Sequence, residues 1–260
     1  LSGAKLAAAG SAAGGLGIIH PLVALKPRED STKNLRRHIL QAGELTDKPF
    51  GVNIPLDRPT SGDWIALTIA EKVPVAITSA GSPTTYTTML KEAGIKVLHV
   101  VASVRHARGA EAQGVDAVIA EGYEAGGHNG ADELPTFVLV PQVVDAVRIP
   151  VLAAGGIADA RGLVAAFALG AEGVQMGTRF LATRECLGHK NLKDALVKAG
   201  ETDTIITGRK SQMAMRCIRN KFTTEFRDKE AEGLSKEALG ELGTGRNYRA
   251  AMGGEVEVGS

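Results

Sequence analysis

Apolar residues fall in short runs separated by longer stretches of helical spacing. Residues 117–120 (AVIA), 151–154 (VLAA) and 173–176 (GVQM) are the clearest runs, and each ends in a glycine-bearing loop. Similar runs occupy 17–20 (GIIH), 50–54 (FGVNI), 75–78 (VAIT) and 97–101 (VLHVV). Runs this short and this continuously apolar read as strands buried on both faces, the mark of a parallel sheet. Helical patterns lie between them at 1–13, with Ser2 as the predicted N-cap, and at 30–45, with Leu35, Ile39 and Leu40 on the apolar side. Others follow at 64–72, 84–93, from the Ser103 cap to 112, near 141–147 and at 161–169.

The strands start about 20–35 residues apart, which is the βα repeat of a parallel sheet, and seven such units are visible. An open doubly wound sheet and a closed barrel both fit. The chain opens on a helix, so the expected fold is α/β, a (β/α)8 TIM barrel whose first strand lies outside the given residues. After Phe180 the pattern changes. Residues 185–220 hold two amphipathic segments, 192–199 and 211–218, and 221–246 is charge-rich with helical spacing. The domain reading is therefore a barrel over 1–188 and a C-terminal helical subdomain over 189–260 packing on the barrel mouth.

Composition changes this picture little. With 44% hydrophobic and 23% charged residues in 260, a soluble globular protein is expected. Thirty basic residues balance 29 acidic ones, which gives no electrostatic argument for nucleic acid or an anionic membrane. Cys186 and Cys217 lie too far apart for metal-ligand spacing and read as two thiols in a reducing cytoplasm. No apolar run reaches the roughly 18 residues of a membrane span. No metal site is expected, because His20, His99 and His106 form no ligand-like cluster.

Candidate chemistry sits in the loops after the last strands. Gly155-Gly156 follows VLAA, and Gly177-Thr178 follows GVQM. Glycines let backbone N–H groups approach an anion, and in eight-stranded barrels the loops after the last two strands commonly bind phosphate. Tight βα turns are the plainer explanation of either glycine pair alone. His128 follows Gly126 and Gly127 in EAGGHNG, a loop with few apolar side chains. Its near-neutral titration suits proton abstraction or the stabilisation of an anion. Glu121 and Glu124 stand close by in sequence. Asn53 and Ser79 end their strands and offer either ligand contacts or strand-end caps. There is no G-x-S-x-G, no P-loop and no strand-positioned G-x-G-x-x-G.

Six stretches carry a family resemblance: AGGLGII (13–19), PFGVNIPL (49–56), TSAGSP (78–83), AEGYEAGGHNG (120–130), PVLAAGGIADARG (150–162) and GAEGVQMGTRF (170–180). Together they resemble the FMN-dependent nitronate monooxygenases, once called 2-nitropropane dioxygenases, a family that includes the flavin-dependent enoyl-ACP reductase II enzymes. The resemblance implies a (β/α)8 barrel holding FMN at its C-terminal face. Gly155, Gly156, Gly177 and Thr178 would hold the FMN phosphate. Asn53, Ser79 and Gln175 would lie near the ribityl chain or the ring, and Gly126 and Gly127 would border the cofactor. His128 would be the active-site histidine. It also implies a strand before Leu1, a Met-Ala-Gly-Gln-like segment after Ser260, and a cytoplasmic homodimer. The substrate would be a nitronate oxidised with O2. The alternative is an enoyl thioester reduced by NAD(P)H, with the acyl carrier protein met by Arg209, Lys210, Arg216, Arg219 and Lys221. A reading from another class is a non-catalytic phosphate-binding barrel.

Overall fold

All seven expected strands form, and they form one sheet. The computed structural model describes residues 1–24, 26, 29–211 and 214–259. The chain runs α1 (Ala4–Ala12), β1 (Gly17–Ile19), α2 (Ser31–Leu45), β2 (Phe50–Pro55), α3 (Ser61–Ala70), β3 (Val75–Ser79) and, after a 3-10 turn, α4 (Thr87–Glu92). It continues with β4 (Lys96–Val101), α5 (Val104–Ala112), β5 (Ala117–Glu121), β6 (Gly127–His128), α6 (Thr136–Ala146), β7 (Val151–Ala154), α7 (Ala160–Ala168) and β8 (Gly173–Gln175). Beyond it come α8 (Thr178–Leu181), α9 (Lys190–Lys198), β9 (Thr204–Thr207), β10 (Met215–Ile218), α10 (Lys221–Ala231), α11 (Lys236–Gly243) and α12 (Arg246–Ala251).

The main sheet has the order β1-β2-β3-β4-β5-β7-β8, and every pair in it is parallel. Each crossover moves to the next neighbour in one direction, with no reversal of strand order. That is the winding of a (β/α)8 barrel, not of a doubly wound sheet. Among the described residues β1 and β8 are the two edges of this sheet.

The pairing register divides the strand residues between two faces. Ile19, Val52, Ala76, Val97, Val118 and Ala153 point outward and pack with the helices in the main core. Burying side chains from valine upward in size is worth about 1.5–3 kcal/mol each, so this layer supplies most of the drive to fold. Ile77, Ile119 and Ala154 form a smaller inner cluster with Ile18, Leu98, Val100 and Leu152. Following the same parity to the carboxyl ends places His20, Asn53, Ser79, Glu121 and Gln175 on the inner face, around the mouth.

Some local expectations change. Ser2 does not cap α1; Gly3 holds that position, and the Ser2 hydroxyl donates to the Ile18 carbonyl, fastening the helix to β1. Residues 211–218 are not one amphipathic segment. Met215–Ile218 is β10, antiparallel to β9 and to β6, while Gln212 and Met213 lie outside the described residues. The TIIT and MRCI stretches are short and rich in β-branched residues, which favours a ladder over a helix. The C-terminal part is therefore helical around a small three-stranded sheet, and that sheet takes in His128. Asn220 caps α10 and also donates to the carbonyls of Val256 and Gly259 at 2.6 and 2.7 Å, drawing the last residues onto that helix. Among the described residues no helix is long and apolar enough to cross a membrane.

Candidate active site

One side of the mouth is built from backbone. Gly155 and Gly156 follow β7 with φ of +94° and +71°, a left-handed pair that L-residues with a side chain rarely adopt. A Cβ on Gly155 would lie 2.8 Å from the Gly122 carbonyl oxygen and 3.0 Å from Thr136 Oγ1, so nothing larger fits. Thr136 Oγ1 donates to the Gly155 carbonyl at 2.9 Å, and Glu124 accepts from Thr136 N and Oγ1, both at 2.9 Å. Glu124 thus caps α6 and pins its loop; it is not aimed at a ligand. Gly177 lies beside open space, and a Cβ on Gly126 would meet Thr178 Oγ1 at 2.8 Å. The structure therefore brings Gly126, Gly155, Gly156, Gly177 and Thr178 to one rim. The N-terminus of α7 is already occupied: Asp159 accepts from Arg161 N at 2.9 Å and pairs with the Arg161 guanidinium. Any anion here would rest on the loop amides and not on that helix end.

The other side is built from side chains. Ser79 donates to Asn53 Oδ1 at 3.2 Å, so these two strand-end residues meet. Gln175 faces inward from β8 in register with Ala154. Glu121 ends β5, inward and partly buried, with no hydrogen-bond partner among the described residues. Burial raises its carboxyl to about 7. His20 follows β1, and burial, with the terminal ammonium and Arg58 adding to it, lowers its imidazole to about 3. His99 lies elsewhere: it packs in the helix layer, bonded to Thr78 Oγ1 at 2.7 Å, and burial lowers it to about 4.

His128 is not in a free loop. It sits on the two-residue strand β6, opposite Met215 of β10, and Asn129 N donates to the Ala214 carbonyl at 2.9 Å. Arg216 fixes the loop from the other side. Its guanidinium forks onto the Tyr123 carbonyl at 3.1 and 3.0 Å and donates to Thr204 Oγ1 at 2.9 Å. Arg209 reaches the Tyr123 hydroxyl at 3.1 Å and grips Glu133 with two bonds. Both guanidiniums lie over the Tyr123 ring, 5.8 and 5.4 Å from its centre. The His128 ring is exposed, yet desolvation by its surroundings, helped by the Arg58 cation and opposed by Asp57, lowers its titration.

The family model for nitronate monooxygenase matches residues 1–256. The chain belongs to the nitronate monooxygenase family. A probable nitronate monooxygenase of Staphylococcus aureus is 41% identical over 199 residues, which cover 73% of this chain and 56% of that protein. A (3aS,4S,5R,7aS)-5-hydroxy-7a-methyl-1-oxo-octahydro-1H-indene-4-carboxyl-CoA dehydrogenase of Mycobacterium tuberculosis is 40% identical over 229 residues, 87% of this chain and 62% of its own. Among solved structures, FabK from Thermotoga maritima superposes with a TM-score of 0.93 at 49% identity, covering all of this chain and 80% of that one. The chain thus spans about three fifths of the length of these two curated relatives.

Family membership implies FMN, and the rim fits its phosphate: two consecutive left-handed glycines, an open Gly177, and a neighbouring Glu124 whose carboxylate is engaged by Thr136. The mouth residue that sequence reasoning missed is His20, and Glu121 was noted there only as a neighbour of His128. His20 was legible from parity, two residues after Ile18.

Proposed function

We propose that the protein is an FMN-dependent oxidoreductase that oxidises alkyl nitronates, or their parent nitroalkanes, with O2. The observation that supports this reading is His128: an imidazole of lowered titration held on a short strand two residues after Gly126 of the glycine-built rim. Bound FMN supplies an electron acceptor for the substrate and an electron donor for O2. Gly155, Gly156, Gly177 and Thr178 would hold its phosphate, with Gly126 and Gly127 beside it and Asn53, Ser79 and Gln175 toward the ring. His128 is lowered, so it serves as a base that takes the α-proton of a nitroalkane. A cation that steadies an anion must then come from elsewhere. Residues 189–260 would form the cover of the mouth, since β10 holds the strand that carries His128.

The second reading is reduction of an enoyl thioester with NAD(P)H, favoured by the likeness to FabK over the whole chain. The basic cluster expected to meet a carrier protein speaks against it. Arg209 is paired with Glu133, Arg216 is bound to Tyr123 and Thr204, and Arg219 donates to the Thr204 carbonyl. Anaerobic mixing of the flavin-loaded protein with propyl-2-nitronate or with NAD(P)H separates the readings. Bleaching of the flavin by nitronate alone supports the first, and bleaching by NAD(P)H alone replaces it with the second. A protein that purifies colourless and takes up no flavin is a non-catalytic barrel.

A further inference from the structure

The strand that carries His128 is too short to hold a side chain by its ladder alone. It has two residues, paired with Met215 and Arg216 of β10, and one of them is Gly127 at φ +95°. The next residue supplies what the ladder lacks. Asn129 N donates to the Ala214 carbonyl at 2.9 Å, and Asn129 Nδ2 reaches back four residues to donate to the Ala125 carbonyl at 3.0 Å. Ala125 is buried and is anchored in turn. Its N–H donates to the Gly122 carbonyl at 3.0 Å, and Gly122 N donates to the Ala154 carbonyl at 2.9 Å, at the end of β7. A line of hydrogen bonds thus runs from β7 through Gly122, Ala125 and Asn129 to the residue that precedes β10.

The loop that this line closes, residues 125–129, holds both ends of the problem. His128 is in it, and so is Gly126, the rim glycine whose Cβ would meet Thr178 Oγ1 at 2.8 Å. The bond from Asn129 to Ala125 therefore sets how far the imidazole stands from the rim. Its chemistry fixes the amide's orientation, because an NH2 can face a carbonyl and an amide oxygen cannot. That orientation leaves Asn129 Oδ1 shielded from solvent, with no donor among the described residues. A shielded acceptor without a partner costs stability, and a single hydrogen bond adds little. The two effects oppose each other, so the side chain's main service is geometric.

We propose that Asn129 is a positioning residue for His128: its side-chain amide ties the far end of the histidine strand back to Ala125 and holds the imidazole at a set distance from the glycine rim. It acts through His128 and not on the substrate. The inference rests on the reading of His128 as the base.

Its test uses the flavin-loaded protein with Asn129→Leu, which keeps the shape and loses the donor, and Asn129→Ser, which is too short to reach Ala125. In anaerobic reduction by un-ionised 2-nitropropane, both are expected to lower the limiting rate ~10-fold or more, as for a misplaced base. The half-saturating concentration stays within about 3-fold, and the melting temperature within about 3 °C. In a His128→Ala background the same substitutions change the rate less than about 2-fold, because a residue that acts through the imidazole has nothing left to position. A second arm needs no turnover: hydrogen exchange of the residue-129 amide, which donates to Ala214, becomes at least ~10-fold faster in both variants. An amide that opens in both variants, in a protein that His128→Ala does not slow, upholds the anchor and removes the base reading. An amide that stays closed overturns the proposal whatever the rates. So does a wild-type rate in both variants when His128→Ala is slow. An equal loss in the His128→Ala background also overturns it, since Asn129 would then act on its own.

Discussion

The rim formed by the loops after β7 and β8 is made of backbone, and the rim formed by the ends of β1, β2, β3 and β5 is made of side chains. On the first, glycines sit where a Cβ would strike a carbonyl oxygen or Thr136, and little is offered beyond N–H groups. On the second, His20, Asn53, Ser79 and Glu121 come from separate strands of the sheet, Ser79 bonded to Asn53, and β10 pairs with the two-residue strand that carries His128. The difference teaches how the labour is divided. In the proposed function the phosphate of the cofactor would rest on backbone geometry that admits few side chains. The reacting group would be met by side chains whose charge states the barrel adjusts.

Substitutions on each side sharpen or break that division. The largest effect is expected from Gly156→Asp. A carboxylate about 4 Å from a phosphate charge costs about 4 kcal/mol, so FMN affinity should fall roughly 10³-fold; because Gly156 sits at φ +71° with its Cβ position 3.3 Å from Glu124 Cβ, the apo protein also loses some stability. Flavin titration beside a melting curve checks this, and unchanged affinity would remove the glycine rim from the cofactor site. His128→Ala should do the opposite. It should leave FMN bound and slow flavin reduction by un-ionised nitroalkane ~10²-fold, as for a lost general base, in rapid-mixing kinetics. A smaller effect follows from the clamp. Arg216→Met removes the fork on the Tyr123 carbonyl, a charge-assisted bond worth about 1.5–3 kcal/mol, and should slow reduction roughly 10-fold without loss of flavin. Full activity there would mean that the histidine strand is held without that fork.

The smallest effect concerns Glu121. Its folded-state titration, about 7, lies above the ordinary carboxyl value of 4.5. The stability contributed by its proton is therefore fully present below pH 4.5 and lost as pH rises through 7. Glu121→Gln should gain about 1 kcal/mol over wild type between pH 4.5 and pH 8 in the flavin-free protein, a figure discounted for its partial exposure. Melting curves at the two pH values report the difference. An identical gap at both would mean that the carboxyl is not desolvated.

The two rims also differ in how far the sequence reveals them. The glycine rim is local. Short apolar runs ending in Gly-Gly or Gly-Thr mark the strands, the loops and the order of the sheet, and the sheet follows them. The side-chain rim is only partly local. Asn53 and Ser79 are legible near the ends of their apolar runs, Gln175 only through the family resemblance, and Glu121 and His20 follow from parity once the register is known. The β6–β10 pairing joins positions nearly ninety residues apart through a two-residue strand, one of them glycine, and no periodicity announces a strand that short.

The most direct test of the account is the charge state of His128. Histidine-labelled protein can be titrated by NMR, with and without FMN. The account predicts that His128 titrates below its ordinary 6.5, and so is neutral at pH 7, and that its signals move when FMN binds. Those of His99, which lies in the helix layer, should stay put. A His128 that titrates above 6.5, or that is blind to FMN, would contradict a neutral base at the cofactor's mouth.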